Sequence, residues 1–150
     1  MQKQRQEFNL RIMKKIIRYS AFSTLLFLVS CAATISTFDQ YAYTKTTSLK
    51  VDALNLMDKA VDNYSSHEKE IQDINTELQK AYEYEKNRPN NETTTSMWEL
   101  LMNDASLYGG FISLWKEQGT VSKVAIQAAK TKIAENFDRI AQLESKKIQQ

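Results

Sequence analysis

The sequence predicts an all-α protein, an elongated three- or four-helix up-and-down bundle that follows an N-terminal signal segment. Three observations carry this. Apolar residues recur at three- and four-residue intervals from Leu49 to Leu143, the period of one face of a helix. Nowhere do apolar and polar residues alternate as they do in a half-buried strand. Finally, 150 residues with 42% hydrophobic and 25% charged side chains suit one modest folded domain.

The charge is unevenly placed. Residues 1–31 carry six basic groups (Lys3, Arg5, Arg11, Lys14, Lys15, Arg18) and one acidic group, Glu7, whereas 32–150 holds 14 basic and 17 acidic side chains. The formal +2 of the chain therefore hides a mildly acidic remainder with both signs interleaved, which argues against nucleic acid as a partner.

The leader has three zones: a basic stretch ending at Arg18, the apolar run "AFSTLLFLV", and the small residue Ser30 before Cys31. That order is the pattern of a secretory signal peptide occupying 1–30. Its basic zone is long, and a leader starting at Met13 has ordinary proportions, so Met13 is a second candidate start. The competing reading is an uncleaved, single-pass signal-anchored protein whose membrane-proximal coiled coil acts as an assembly subunit, because Tyr19 to Phe38 is uncharged over about 20 residues, long enough to span a bilayer. Against it, five Ser and Thr fall between Ser20 and Thr34. A buried helix of a cytosolic protein is disfavoured, since "STLLFLV" is apolar all round and follows a basic flank.

The tetrad Leu28, Val29, Ser30 and Cys31 resembles the lipobox of bacterial lipoproteins. The resemblance implies a diacylglyceryl group on the Cys31 thiol, cleavage of the Ser30–Cys31 bond and, in many species, acylation of the new amino group. It also implies a cell-membrane or outer-membrane location, with the protein lipid-anchored and facing the periplasm or exterior. Ala32 is not the aspartate of the enteric inner-membrane retention signal, which by analogy favours the outer membrane. Physical chemistry agrees: a buried methylene contributes about 0.8 kcal/mol, so one chain holds marginally and two or three hold stably. Cys31 is also the only cysteine, without an internal disulfide partner, and lipidation removes an exposed reactive thiol.

Residues 31–48, rich in Ser, Thr and small side chains, read as the lipidated cysteine with either a tether or a weakly amphipathic helix start; the bundle domain is 49–150. Met57, Tyr64, Ile71 and Leu78 then fall seven apart, and no Gly or Pro occurs between Ala32 and Arg88. One helix over about 38–88 would reach roughly 75 Å. A break at "NYSSHEKE" is the alternative, with Ser65 and Glu68 at capping-box spacing and Ser66 a further cap. "KNRPNNETTTS" is a loop around the only proline. Thr95 or Ser96 can cap a helix carrying Trp98, Leu101, Leu107, Tyr108, Phe111, Ile112, Leu114 and Trp115 up to Gly119. Within it, Gly109 and Gly110 indicate a kink or a close approach. The last helix starts after Ser122 and places Ile126, Ala129, Ile133, Phe137, Ile140 and Leu143 or Glu144 on one stripe, with Lys146 and Lys147 suiting the negative end of the dipole.

No catalytic constellation emerges. His67, the only histidine, lies among Ser65, Ser66, Glu68 and Glu70, but neighbours along a helix or turn do not converge as nucleophile, base and orienter must. One histidine and one acylated cysteine fall short of a zinc site, and the carboxylates Asp52, Asp58, Asp62, Glu68, Asp73 and Glu77 are spread along helices like solvated faces. The expectation is a non-enzymatic protein without metal or cofactor. Its partners are the membrane, through lipid on Cys31, and an envelope protein. Tyr82, Tyr84, Trp98 and Trp115 are the candidate partner-binding residues, because Trp and Tyr are enriched at interfaces. At helical spacing such aromatics are more often core.

Overall fold

The structure, a computed structural model, describes residues 35–149. Five α-helices follow one another: α1 (Gln40–Asp58), α2 (Glu68–Lys86), α3 (Glu92–Met102), α4 (Leu107–Gln118) and α5 (Lys123–Lys146), with short 3-10 turns at Lys59–Val61, Tyr64–Ser66 and Lys147–Gln149. No strand occurs among the described residues. Cross-helix pairs fix the directions. Tyr41 meets Tyr84 and Lys59 meets Glu70, so α1 and α2 are antiparallel. Lys50 meets Asp138 and Lys130 meets Asp58, so α5 also runs against α1. Tyr82 reaches Glu99 across α2 and α3, and the end of α4 returns to Tyr64, whose amide donates to the Gly119 carbonyl at 2.8 Å. The result is an up-down-up-down four-helix bundle whose third helix is divided into α3 and α4. Its top is the end formed by 59–67 and 119–122; its base is formed by 35–39, 87–91 and 144–149.

Local chemistry sets each boundary. Asp39 caps α1, its carboxylate accepting from the Ala42 amide at 3.0 Å, which satisfies an orphan donor of the first turn. Glu68 and Glu70 open α2 and Lys86 closes it, complementing the helix dipole. Gly119 ends α4 with φ 77°, a conformation that favours glycine, and Ser122 caps α5 by accepting from the Ala125 amide. Inside, Leu49, Leu56, Met57, Ile71, Leu78, Trp98, Trp115, Phe137 and Ile140 are fully buried, and the Trp98 and Phe137 rings meet edge to face, 6.0 Å apart.

Several sequence expectations change. A single straight helix over 38–88 does not form; the chain folds back between Lys59 and His67. Neither Ser65 nor Ser66 caps α2: that position belongs to His67, while the Ser65 hydroxyl donates to Asn63. Thr95 and Ser96 lie inside α3, which starts at Glu92. The apolar stretch up to Gly119 is two helices, separated at Asn103–Ser106. Residues 40–48 are helical, with Thr46 and Leu49 buried, and Ile35 to Asp39 form a strap along the base.

Gly109 explains the division of the third helix. A Cβ there would lie 2.3 Å from the Met102 carbonyl oxygen and 2.5 Å from that of Asn103, so only glycine lets α4 begin against the end of α3. Leu107 enters α4 with φ 38°, a strained left-handed conformation for a γ-branched residue.

Candidate functional site

The most elaborate polar arrangement lies at the base, where helix ends, a loop and the strap converge. Arg88, in the turn after α2, donates from Nη1 to Glu85 Oε2 and Glu144 Oε2 and from Nη2 to Glu144 Oε1, each at 2.9 Å. Its Nη2 also donates to the Thr37 carbonyl. Lys147 donates to Glu144 at 2.6 Å, to Ser36 Oγ at 2.6 Å and to Asn91 Oδ1 at 2.9 Å. The Asp39 amide donates to Glu144 Oε1 at 2.6 Å, and the Ser36 hydroxyl to Asn91 Oδ1 at 2.8 Å. The Ser36 amide donates to the Asn90 carbonyl at 3.0 Å. Two cations and two anions thus neutralise one another, with side chains between 2% and 11% exposed.

Electrostatics follows the geometry. Burial disfavours the Glu144 carboxylate, but hydrogen bonds from Arg88, Lys147 and the Asp39 amide outweigh it and hold its pKa below the usual glutamate value. Burial likewise opposes the Arg88 charge and is outweighed by Glu144 and Glu85, which raise its pKa. Asp39 is lowered by the Tyr84 hydroxyl, which donates to it at 2.5 Å, and by the Ala42 amide. This arrangement sets the Ser36 hydroxyl beside Lys147, whose ammonium is also held on Glu144. Its chemical capacity is to clamp the strap to the ends of α2 and α5.

No known protein family, curated protein or solved structure matches the chain. Its own residues are therefore the whole basis for a functional reading.

Of the four aromatic candidates, Trp98 and Trp115 are core residues that offer no surface, the Trp115 indole donating to the Asp62 carbonyl at 3.0 Å. Tyr84 is exposed, with Tyr41 edge-on at 4.8 Å, and Tyr82 is half-buried, with its hydroxyl on Glu99 and Lys86 above its ring. The four do not form one patch. His67 packs on Trp115 and approaches Asp62 and Glu70 at 3.5 and 3.7 Å. Among the described residues no group of three or more His, Cys, Asp or Glu is placed to hold a metal ion. Cys31, Ser30 and the rest of the lipobox lie outside the described residues.

The base cluster escaped the sequence reading, yet left a trace. Glu85 continues the seven-residue series Met57, Tyr64, Ile71, Leu78, and Glu144 continues Phe137 and Ile140 at helical spacing. A carboxylate in the apolar phase of a stripe signals a buried charge that needs a partner.

Proposed function

We propose that the protein is a lipid-anchored envelope lipoprotein, modified on Cys31, whose helical bundle is a non-enzymatic binding or structural domain held against a membrane. The observation that carries this reading is the basic and apolar leader ending in Leu28-Val29-Ser30-Cys31. The strap is consistent with it: Ser36, Thr37 and Asp39, five to eight positions after Cys31, are engaged by Asn90, Arg88 and Glu144, which holds the chain just after the expected lipid against the bundle. The same contacts weigh against the single-pass anchor. They draw Ser36 to Phe38 out of the uncharged stretch and leave about 17 residues from Tyr19, the lower limit for a span. Among the described residues, no helix is long and apolar enough to cross a membrane.

Intact mass spectrometry of the membrane-extracted protein tests the reading, with Cys31→Ala as control. A product starting at Cys31 with added lipid mass, absent in the variant, is expected. An unprocessed and unmodified product in both would overturn it.

A further inference from the structure

We infer that the base of the bundle is a lipid-facing surface that rests on the polar interface of a phospholipid bilayer. The inference deepens the lipid-anchored reading and rests on it.

Four exposed apolar or aromatic side chains lie at or beside this end, while Val61 and Val124 are exposed at the top. Ile35 and Ile148 are 36% and 64% exposed, and each adjoins in sequence a partner of the Lys147–Ser36 hydrogen bond, so both belong to the base. Tyr41 and Tyr84, stacked edge to ring, are exposed on the flank beside the strap. Tyrosine rings favour the headgroup level of a membrane, where an apolar body and a wet hydroxyl are both accommodated.

Charge points the same way. Resting on lipid is costly for a surface of unpaired charges, but Arg88 and Lys147 cancel Glu85 and Glu144 beneath the surface. The fully exposed residues of the strap and of the turn after α2 (Ile35, Thr37, Asn87, Pro89, Asn90) include no carboxylate, and the partly exposed Asp39 has its carboxylate on the Tyr84 hydroxyl and the Ala42 amide. The top exposes Asp62 and Glu68 together with Lys69 and Lys123, and Asp58 paired with Lys130. Lys86 and Lys146 are exposed near the base, where they favour anionic headgroups, with Glu92 in the first turn of α3 and Glu83, 4.0 Å from Lys86, set against them. Length completes the argument. Four residue steps separate Ile35 from Cys31, a reach of roughly 14 Å at full extension, so a lipid on Cys31 keeps this end within that distance of the headgroups.

The test uses full-length protein, lipidated in a bacterial host and reconstituted into phosphatidylethanolamine–phosphatidylglycerol vesicles. Single substitutions Ile148→Cys at the base and Val124→Cys, 82% exposed near the top, each carry an environment-sensitive fluorophore. Nitroxide-bearing lipids are expected to quench the label at position 148 several-fold more than that at 124, and aqueous iodide to do the reverse. Equal quenching at the two positions would overturn the inference while leaving the anchor standing. Denatured wild-type protein is the separate control: its single cysteine should take up no thiol reagent when lipidated. Stoichiometric labelling would overturn the lipoprotein reading, and the inference with it.

Discussion

Arg88 and Glu144, 56 residues apart, meet through two parallel hydrogen bonds of 2.9 Å, Nη1 to Oε2 and Nη2 to Oε1. The bidentate pair fastens the turn after α2 to the end of α5, and its spare donors and acceptors capture Thr37 and Asp39 of the strap. It is therefore where the bundle closes.

Breaking the pair from one side should be severe. Arg88→Met leaves Glu85 and Glu144 buried with Lys147 as their remaining cation, and loss of one partner of a buried pair costs about 3–5 kcal/mol. Arg88→Lys should recover only part of this, since an ammonium cannot reproduce the planar two-point contact. Adding Glu144→Gln to Arg88→Met should also recover part, because it removes one stranded charge. Urea unfolding at constant m-value reads all three.

Acid should loosen the base. Glu144 and Asp39 have folded pKa values below their ordinary 4.5 and 3.8, so the folded state favours their ionised forms. The stability they add is full above the ordinary values and is lost as pH falls through the lowered ones. Unfolding free energy should stay level from neutral pH to about 5 and then decline. In Glu144→Gln the decline should be shallower, and amide exchange at Ser36 and Asp39 should already be faster at neutral pH.

The helical character of the chain was legible because its apolar stripe has one dominant period. The breaks were less so. Met57, Ile71 and Leu78 are buried on both sides of the turn at 59–67. A hairpin that returns both inner faces to one core keeps the apolar phase intact, so the stripe alone cannot distinguish a straight helix from a folded one. The polar signal was present in Asp62 and Asn63, whose side chain accepts from the Ser65 amide. Likewise Asn103, Asp104 and Ser106 mark the division of the third helix within a run that otherwise reads as continuous. The base cluster joins residues up to 111 positions apart, which no local pattern encodes.

The two adjacent glycines should respond differently to the same change. Gly109→Ala sets a methyl 2.3 Å from a backbone carbonyl oxygen that cannot rotate away, so α3 and α4 must separate. Overpacking of this kind costs about 1–3 kcal/mol, more than alanine gains in helix propensity. At Gly110 the nearest atom is the Ala105 carbonyl carbon at 3.1 Å, a contact relieved by a few tenths of an ångström. Gly110→Ala should lie within about 1 kcal/mol of wild type, with propensity offsetting the shift. Thermal unfolding of the two variants side by side tests the close approach.

The buried tryptophans make different use of their indole N–H groups, and conservative substitution should expose this. Alanine at either position should cost about 3–5 kcal/mol through cavity formation, whereas Tyr84→Phe removes one exposed hydrogen bond and should cost about 1 kcal/mol or less. Trp115→Phe loses ring volume together with the bond to the Asp62 carbonyl. Trp98→Phe loses the same volume, but its Nε1 has no hydrogen-bond partner among the described residues, so the substitution also removes a desolvated donor. A donor left unpaired costs about 1–3 kcal/mol. Trp98→Phe should therefore be the milder of the two by about 1 kcal/mol or more. The opposite order, read from urea midpoints at equal m-value, would mean that the Trp98 indole is hydrogen-bonded in solution.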